Sequence, residues 1–320
     1  MPVADWARPR LVALRPLRLG DLLTGVPALR ALATAFPDHE RILACPAVLE
    51  PLALAIGAVD GVVDTQPLVP LALELQRADV AVDLHGKGPA SHRVLLASQP
   101  RRLIAFANEL IPESADMPEW RADEHEVLRW CRMLLEQGIS ADPRDLYINA
   151  PVRALPPEAV GATIVHPGAA SPARRWPAER FAHVARAELE RSRAVFFTGT
   201  TSERPLAEEV ARLAGGGCVL AGRTDLAGLA VLVAAAGRII CGDTGVAHLA
   251  TAFRTPSIVL FGPTSPAHWG PPADDPRHVV LWAGNFGDPH GREPDPGLLD
   301  IHAEHVLAAV AALDEQRAAA

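Results

Sequence analysis

The chain is 320 residues long, more than one core of ordinary size, with room for two domains or one large α/β unit. It carries 30 Lys and Arg against 38 Asp and Glu, a net charge of −8 with no basic block, which excludes a nucleic-acid partner bound through its phosphates. The four cysteines, at 45, 131, 218 and 241, form no CxxC pair and no zinc spacing, so reduced, buried thiols and no resident metal are expected.

The opening "MPVADWARPRLVAL" has no basic head followed by a long apolar run. The most apolar later segment, "AGLAVLVAAAGRIICG", is interrupted by Arg238 and too short to span a bilayer. A cytoplasmic protein without a transmembrane segment is expected. From "RLVAL" onward, short β-rich runs alternate with helical patterns: "GVPALRALATAF", then "RILAC", "AVLEPLALAIG", "VAVDLHG" and "SHRVLLASQ". This alternation predicts a parallel, doubly wound sheet. A Pro-rich stretch from Asn149 to Gly161 interrupts it, placing a domain boundary near residue 155, between domains 1–155 and 156–320. The pattern then restarts with "ATIVHPG", "RFAHVARAELE", "AVFFTGT", "PLAEEVARLAG", "GLAVLVAAAG", "RIICGDTG", "VAHLATAF" and "PSIVLFG". The last pattern, "GLLDIHAEHVLAAVAALDEQ", predicts one helix long enough to pack across both halves. Two α/β halves of this kind imply a bilobal molecule with a central cleft. Ligands of open α/β sheets bind beyond the carboxyl ends of the strands, so chemistry is sought in the strand-to-helix turns.

Four turns stand out. The first, "LRLGD", puts Asp21 beside Gly20 at the start of a helix, where a carboxylate reads as an N-cap or as a chemical group; Pro27 interrupts any regular helix begun at Asp21. The second runs from Ile164 to Ala185. A strand enters His166-Pro167-Gly168, small residues including Ser171 follow, and Arg174 and Arg175 precede Trp176-Pro177. Small residues let backbone amides approach an anion and guanidinium groups neutralise it, the makings of a diphosphate site. The alternative is a solvated basic turn with Trp176 anchored in the core. In the third, "VFFTGTTSERPLAEEVARLAG", a carboxylate beyond a strand suits a ribose, although Ser202 and Glu203 equally suit a helix start. In the fourth, "RIICGDTGVAHLATAF", a strand ends in Gly242-Asp243-Thr244-Gly245 and a helix carries His248 on its first turn, a ready anion site.

Taken together, "LGDLLTGVPALRAL", "HPGAASPARRWPAERFA", "GDTGVAHLATAF" and "VLFGPTSP" resemble the heptosyltransferases, family 9 of the glycosyltransferases, across nearly the whole chain and in the same order. The resemblance implies a fold of the GT-B type: two Rossmann-like lobes with parallel sheets facing a central cleft, an N-terminal acceptor lobe and a C-terminal donor lobe. It implies an inverting, metal-independent transfer of a heptose or similar sugar from an ADP-sugar, which is a co-substrate, with no cofactor. Asp21 is then the catalytic base, and a carboxylate in the first turn faces an acceptor hydroxyl, not a phosphate. Arg174 stands where the family usually has Lys beside the leaving diphosphate. Glu203 falls on the ribose ligand and Thr224 on a backbone contact to adenine. Asp243, Thr244, Gly245 and His248 match the family's Asp-Thr-Gly-x-x-His beside the donor phosphates and sugar, with Gly168 and Ser171 in the small-residue loop.

The chain departs from members acting on lipopolysaccharide after its last strand, where it reads "WAGNFGDPHGREPDPGLLDI" in place of a cysteine-bearing segment. In the acceptor lobe, Gly20, His85, Lys87 and Arg93, with His92, are placed to meet an acceptor or to cover the surface. That acceptor is a glycan, a lipid-linked species or a small molecule, met in the cytoplasm or at the inner face of the membrane. The competing readings are a nucleotide-sugar epimerase of the same bilobal fold and a non-catalytic sugar-nucleotide-binding protein.

Overall fold

In a computed structural model the chain is described over residues 8–319; the seven residues before Arg8, part of the opening stretch read above for a leader, lie outside it. Two compact units form, one ending at Leu146 and one beginning at Tyr147. The division precedes residue 155 because the connecting segment already belongs to the second unit. Ile148 donates its amide to the Ala252 carbonyl at 3.0 Å, and the Arg254 guanidinium lies 4.5 Å from the Tyr147 ring centroid.

The first unit runs β1 (Arg10–Leu14), α1 (Leu19–Thr24), α2 (Val26–Ala35), β2 (Glu40–Cys45), α3 (Glu50–Ala55), β3 (Gly61–Asp64), β4 (Val80–Asp83), α4 (Ala90–Ala97), β5 (Arg102–Ile104) and α5 (Glu126–Glu136). Its strands pair in parallel in the order β3-β2-β1-β4-β5. β1 is buried along its whole length, as a near-continuous apolar run covered on both faces should be. The Gly25–Pro27 segment divides what would otherwise be one helix: α1 stops at Thr24, and Pro27 falls in the first turn of α2, where no amide is needed.

The second unit runs β6 (Thr163–His166), α6 (Ala178–Glu190), β7 (Val195–Phe197), α7 (Arg204–Ala214), β8 (Cys218–Val219), α8 (Leu226–Ala235), β9 (Arg238–Gly242), α9 (Gly245–Ala252), β10 (Ser257–Phe261), α10 (Pro266–Trp269), β11 (His278–Trp282), α11 (Pro296–Leu299) and α12 (Ala303–Ala319). The sheet order is β11-β10-β9-β6-β7-β8, again parallel throughout. In each unit the strand order reverses beside the first strand, at β1/β4 and at β6/β9. These are the switch points where doubly wound sheets take their ligands.

The single C-terminal helix expected from the sequence is two helices. The carbonyls of Leu299 and Ile301 accept hydrogen bonds from Arg180 at 2.5 and 2.7 Å, and that of Ile301 also accepts from Trp176 Nε1 at 2.7 Å. Acceptors that a continuous helix would use internally are taken from outside, and the chain turns at 300–302 before α12 packs on α6, β10 and β11. α12 is also tied down by charge. The wholly buried Glu188 carboxylate accepts from Thr163 Oγ1 at 2.5 Å and Arg193 at 2.8 Å and lies 3.6 Å from Arg238 Nε, while Arg193 and Arg238 both reach Asp314 on α12.

Among the described residues no helix is long and apolar enough to cross a membrane. Cys45, Cys131 and Cys241 are buried, which pushes each thiol up to about 12. Cys218, by contrast with the expected burial, is exposed, because β8 is a two-residue strand at the sheet edge.

Candidate active site

In the first unit the turns after β1 and β4 flank the switch point. Asp21 is the third residue of α1, so it is not the N-cap, which is Arg18. Its half-buried carboxylate reaches back to accept the Arg18 amide at 3.1 Å, and it makes no ion pair among the described residues. Gly20 precedes it in the same turn. Across the switch point, the half-buried His85 is set by its own backbone, whose amide donates to Asp83 Oδ1 at 2.8 Å. Burial holds the His85 imidazole below its ordinary range; the Asp83 and Asp21 charges oppose this and Arg15 reinforces it. The Asp21 side chain is thus near enough for its charge to act on the His85 imidazole. Lys87 and Arg93 are exposed, the first in the turn and the second on α4.

His92, grouped above with possible acceptor contacts, is instead fully buried. Its Nδ1 faces Asp83 Oδ2 at 2.8 Å and its Nε2 donates to the Phe106 carbonyl at 2.7 Å. Burial opposes the charge, but acceptors on both sides of the ring outweigh it and raise the imidazole above its usual range. The pair stiffens the floor of the His85 turn. It also makes stability depend on pH with a defined sign: a raised folded value contributes fully below the unfolded value of about 6.5 and is lost as pH rises through the folded value. Urea midpoints measured from about pH 6 to about pH 9 are expected to fall with rising pH, and His92→Gln is expected to flatten that slope.

In the second unit the turns after β6, β7 and β9 converge. Arg174 lies in a short 3-10 turn (Pro172–Arg174) and points to the end of β9, with one terminal nitrogen 3.3 Å from the Asp243 carbonyl and 3.6 Å from its Oδ2. Burial raises the Asp243 carboxyl against the opposing pull of Arg174. Two buried polar atoms beside this pair are left over: Arg174 Nε and Thr244 Oγ1 meet no nitrogen or oxygen partner among the described residues. Thr244 is the N-cap of α9 and Gly245 its first residue, so the first amides of that helix, which have no intrahelical acceptor, lie next to them in the chain. His248, on the first turn, stands edge-on to Trp269 with ring centroids 6.1 Å apart.

Glu203 leans into the second turn. A Cβ on Gly168 would come within 2.3 Å of its carboxylate, so a larger residue there would push the Glu203 side chain out of this position. Glu203 Oε2 accepts from the amide and hydroxyl of Thr200 at 2.8 and 2.9 Å. Behind it the buried His166, depressed by burial despite Glu203 nearby, bonds Thr198 Oγ1 at 2.9 Å. Thr224 follows the Gly222 turn, which closes on Gly199 by a 2.9 Å backbone bond and so returns the chain to the same rim.

Ser171 and Arg175 face their own scaffold. The buried Ser171 hydroxyl donates to the Gly291 carbonyl at 2.9 Å, and Arg175 Nε donates to the Ala169 carbonyl at 2.9 Å. With the Ala173 amide also on Gly291, at 3.2 Å, the segment that departs from the lipopolysaccharide-type pattern braces the Arg174 turn from outside. Trp176 is a core anchor, packed edge-on against Phe181 at 4.9 Å. The core reading thus holds for Trp176, while its neighbour Arg174 turns toward Asp243 at the end of β9.

Two Rossmann-like units, each with polar turns gathered at its switch point, make a fold of the GT-B type, which glycosyltransferases share with nucleotide-sugar epimerases. The family model described as glycosyltransferase family 9 (heptosyltransferase) matches residues 121–290, more than half of the chain, and the chain belongs to that family. The matched span contains every turn of the second-unit site and lies beyond the Asp21 turn. A family 9 glycosyltransferase from Veillonella parvula shares the fold with a TM-score of 0.80 at 19% identity, over 98% of this chain and 99% of that one. The ADP-heptose lipopolysaccharide heptosyltransferase II of E. coli aligns with a TM-score of 0.77 at 21% identity, over 96% and 99%. The E. coli heptosyltransferase WaaC, solved with ADP, aligns at 0.70 and 18%, over 94% and 99%. No curated protein sequence matches significantly.

Proposed function

We propose that the chain moves a heptose, or a closely similar sugar, from an ADP-linked donor to a hydroxyl of a glycan, lipid-linked or small-molecule acceptor, with inversion and without a metal ion. The reading places the reaction in the cytoplasm or at the inner face of the membrane. Support for an ADP donor comes from the family and from the donors named for its solved relatives. The observation that carries it is a pair of buried polar groups, Arg174 Nε and Thr244 Oγ1, that meet no nitrogen or oxygen partner among the described residues and lie at the N-terminal end of α9. Buried polar atoms are almost always satisfied in a folded protein, so two together mark a place kept for an oxygen-rich anion. Glu203 supplies an acceptor for ribose hydroxyls, with Gly168 and the 222–224 turn beside it.

In this mechanism the acceptor oxygen attacks the anomeric carbon and Asp21 takes its proton. The bond from that carbon to the phosphate oxygen breaks, and ADP leaves with its new charge stabilised by Arg174 and the α9 amides. His85, in the turn across the switch point from Asp21, orients the acceptor, and Lys87 and Arg93 attract it where it is anionic.

The test is ADP release from ADP-heptose in EDTA, with and without a heptose-free lipopolysaccharide core. Heptosylated product and acceptor-dependent release are expected. Activity lost in EDTA and restored by magnesium would overturn the metal-free mechanism, and an isomerised sugar nucleotide formed without acceptor would replace transfer by epimerisation. On the donor side, calorimetry is expected to show Arg174→Ala binding ADP more weakly by about 1.5–3 kcal/mol, the loss of a charge-assisted contact. Equal affinity would remove Arg174 from the site.

A further inference from the structure

Arg15 looks in the sequence like a surface cation in the polar run "RPLRLGD", but it is 1% exposed. Its guanidinium is used from every side. Nε donates to the main-chain carbonyl of Asp21 at 2.5 Å, one terminal nitrogen donates to the Leu84 carbonyl, and the other reaches Thr24 Oγ1 at 3.1 Å and Glu126 Oε1 at 3.3 Å. The Thr24 hydroxyl bonds the same Asp21 carbonyl at 3.0 Å. Its charge faces Glu126, a buried residue at the start of α5 whose carboxylate it shares with Arg129 and which also accepts from Trp130 Nε1 at 2.7 Å. The guanidinium stands 5.0 Å from the Trp130 ring centroid. Gly25 leaves the space: a Cβ there would come within 3.0 Å of Arg15 Nε and 3.2 Å of Cδ.

A buried ion pair is poor value for stability, since an apolar core of the same volume does as well or better. Its return here is geometric. The carbonyls it joins belong to the two turns that leave β1 and β4 at the switch point, one carrying Asp21 and the other leading into His85. We propose that Arg15, held by Glu126, is the positioning residue of the transfer reaction, fixing the Asp21 turn against the Leu84–His85 turn so that base and imidazole keep one spacing. This rests on Asp21 acting as the base. Arg15 itself touches no substrate; it works through Asp21, and small displacements of a reacting group cost rate steeply.

The experiment uses ADP-heptose with a heptose-free lipopolysaccharide core and the full chain. Arg15→Lys keeps the charge and loses the fork; Gly25→Ala keeps every hydrogen-bonding group and crowds the guanidinium. A fall in kcat of roughly 10- to 100-fold is expected for Arg15→Lys and a smaller one for Gly25→Ala, with the KM for ADP-heptose, the calorimetric affinity for ADP and the circular dichroism unchanged. Introduced into Asp21→Asn, Arg15→Lys is expected to lower the residual rate by less than about twofold, because groups that act as a unit are not additive. Should Arg15→Lys not fold, Gly25→Ala carries the same two comparisons. Unchanged kcat in the folded variants, or an equal fold-loss in the Asp21→Asn background, would overturn the positioning role while leaving Asp21 as base. Full turnover in Asp21→Asn alone would overturn both.

Discussion

Asp21→Asn is expected to lower turnover by roughly two to four orders of magnitude while leaving ADP affinity and the fold unchanged. The substitution keeps the size of the side chain and an oxygen that accepts the Arg18 amide, the one hydrogen bond the carboxylate makes inside its own turn. It removes only the capacity to take a proton. The position of Asp21 inside α1 sharpens the contrast with a capping role. As the third helical residue it caps from within, and Asn preserves that contact, so a purely structural Asp21 predicts near-normal turnover and a small change in melting temperature. Steady-state ADP release with the acceptor present reads the first quantity and calorimetry with ADP the second. A rate within a few-fold of the parent would remove the base from the mechanism.

The largest effect on stability is expected at Glu188. Its side chain is wholly buried and meets Thr163, Arg193 and Arg238, with Arg191 at 3.4 Å on its outer side. Glu188→Ala strips the carboxylate that offsets Arg238, itself 5% exposed, and leaves that charge to Asp314 alone. Breaking one side of a buried ion pair costs about 3–5 kcal/mol, which for a unit of this size lowers the melting temperature by roughly 10 °C. Glu188→Gln, which still accepts from Thr163, is expected to lose less. Differential scanning calorimetry checks both, and a shift under about 2 °C for the alanine variant would show that the network contributes little. The same cluster responds to acid. Burial works against ionised Asp314, but hydrogen bonds from Arg238 and Arg193 outweigh it and hold the carboxyl below its usual range. A depressed folded value contributes above the unfolded carboxylate value and is lost as pH falls through the folded one, so α12 is expected to loosen on the acid side.

Much of the candidate site in the second unit is legible in the residues because its signals are local. A buried strand, a glycine-rich turn and a helix start lie within a dozen residues of one another in "RIICGDTGVAHLATAF", and the helical and strand periods on either side fix where the turn falls. The Glu203 turn is legible for the same reason. What the sequence conceals is decided by partners far along the chain. Arg15 and Arg18 stand three apart and look alike, yet one is exposed and the other is buried against Glu126, which no local pattern marks. His92 reads as a polar position on an amphipathic helix until the sheet brings Asp83 under it; a carboxylate ending a buried strand with a histidine nine residues on is the one signal that points there. Ser171 belongs to a loop of small residues that suits an anion, but its hydroxyl is turned toward Gly291, which lies 120 residues away. The split of the C-terminal helix likewise follows from Trp176 and Arg180 claiming carbonyls across the unit.

The strand orders bear on synthesis as well as on binding. Each unit lays down its middle strand first and builds to one side only: β1 is followed by β2 and β3, and β6 by β7 and β8. The other edge of the middle strand stays open until β4 is made in the first unit and β9 in the second, the partners of Leu11 and Ile164 being Val80 and Ile239. While the ribosome is still adding those residues, an apolar strand exposes an unpaired row of amides and carbonyls, the template on which nascent chains pair with one another. Slow elongation between Asp64 and Val80, or between Val219 and Arg238, would prolong that exposure, and these two intervals are where chaperone demand and inclusion-body formation should concentrate.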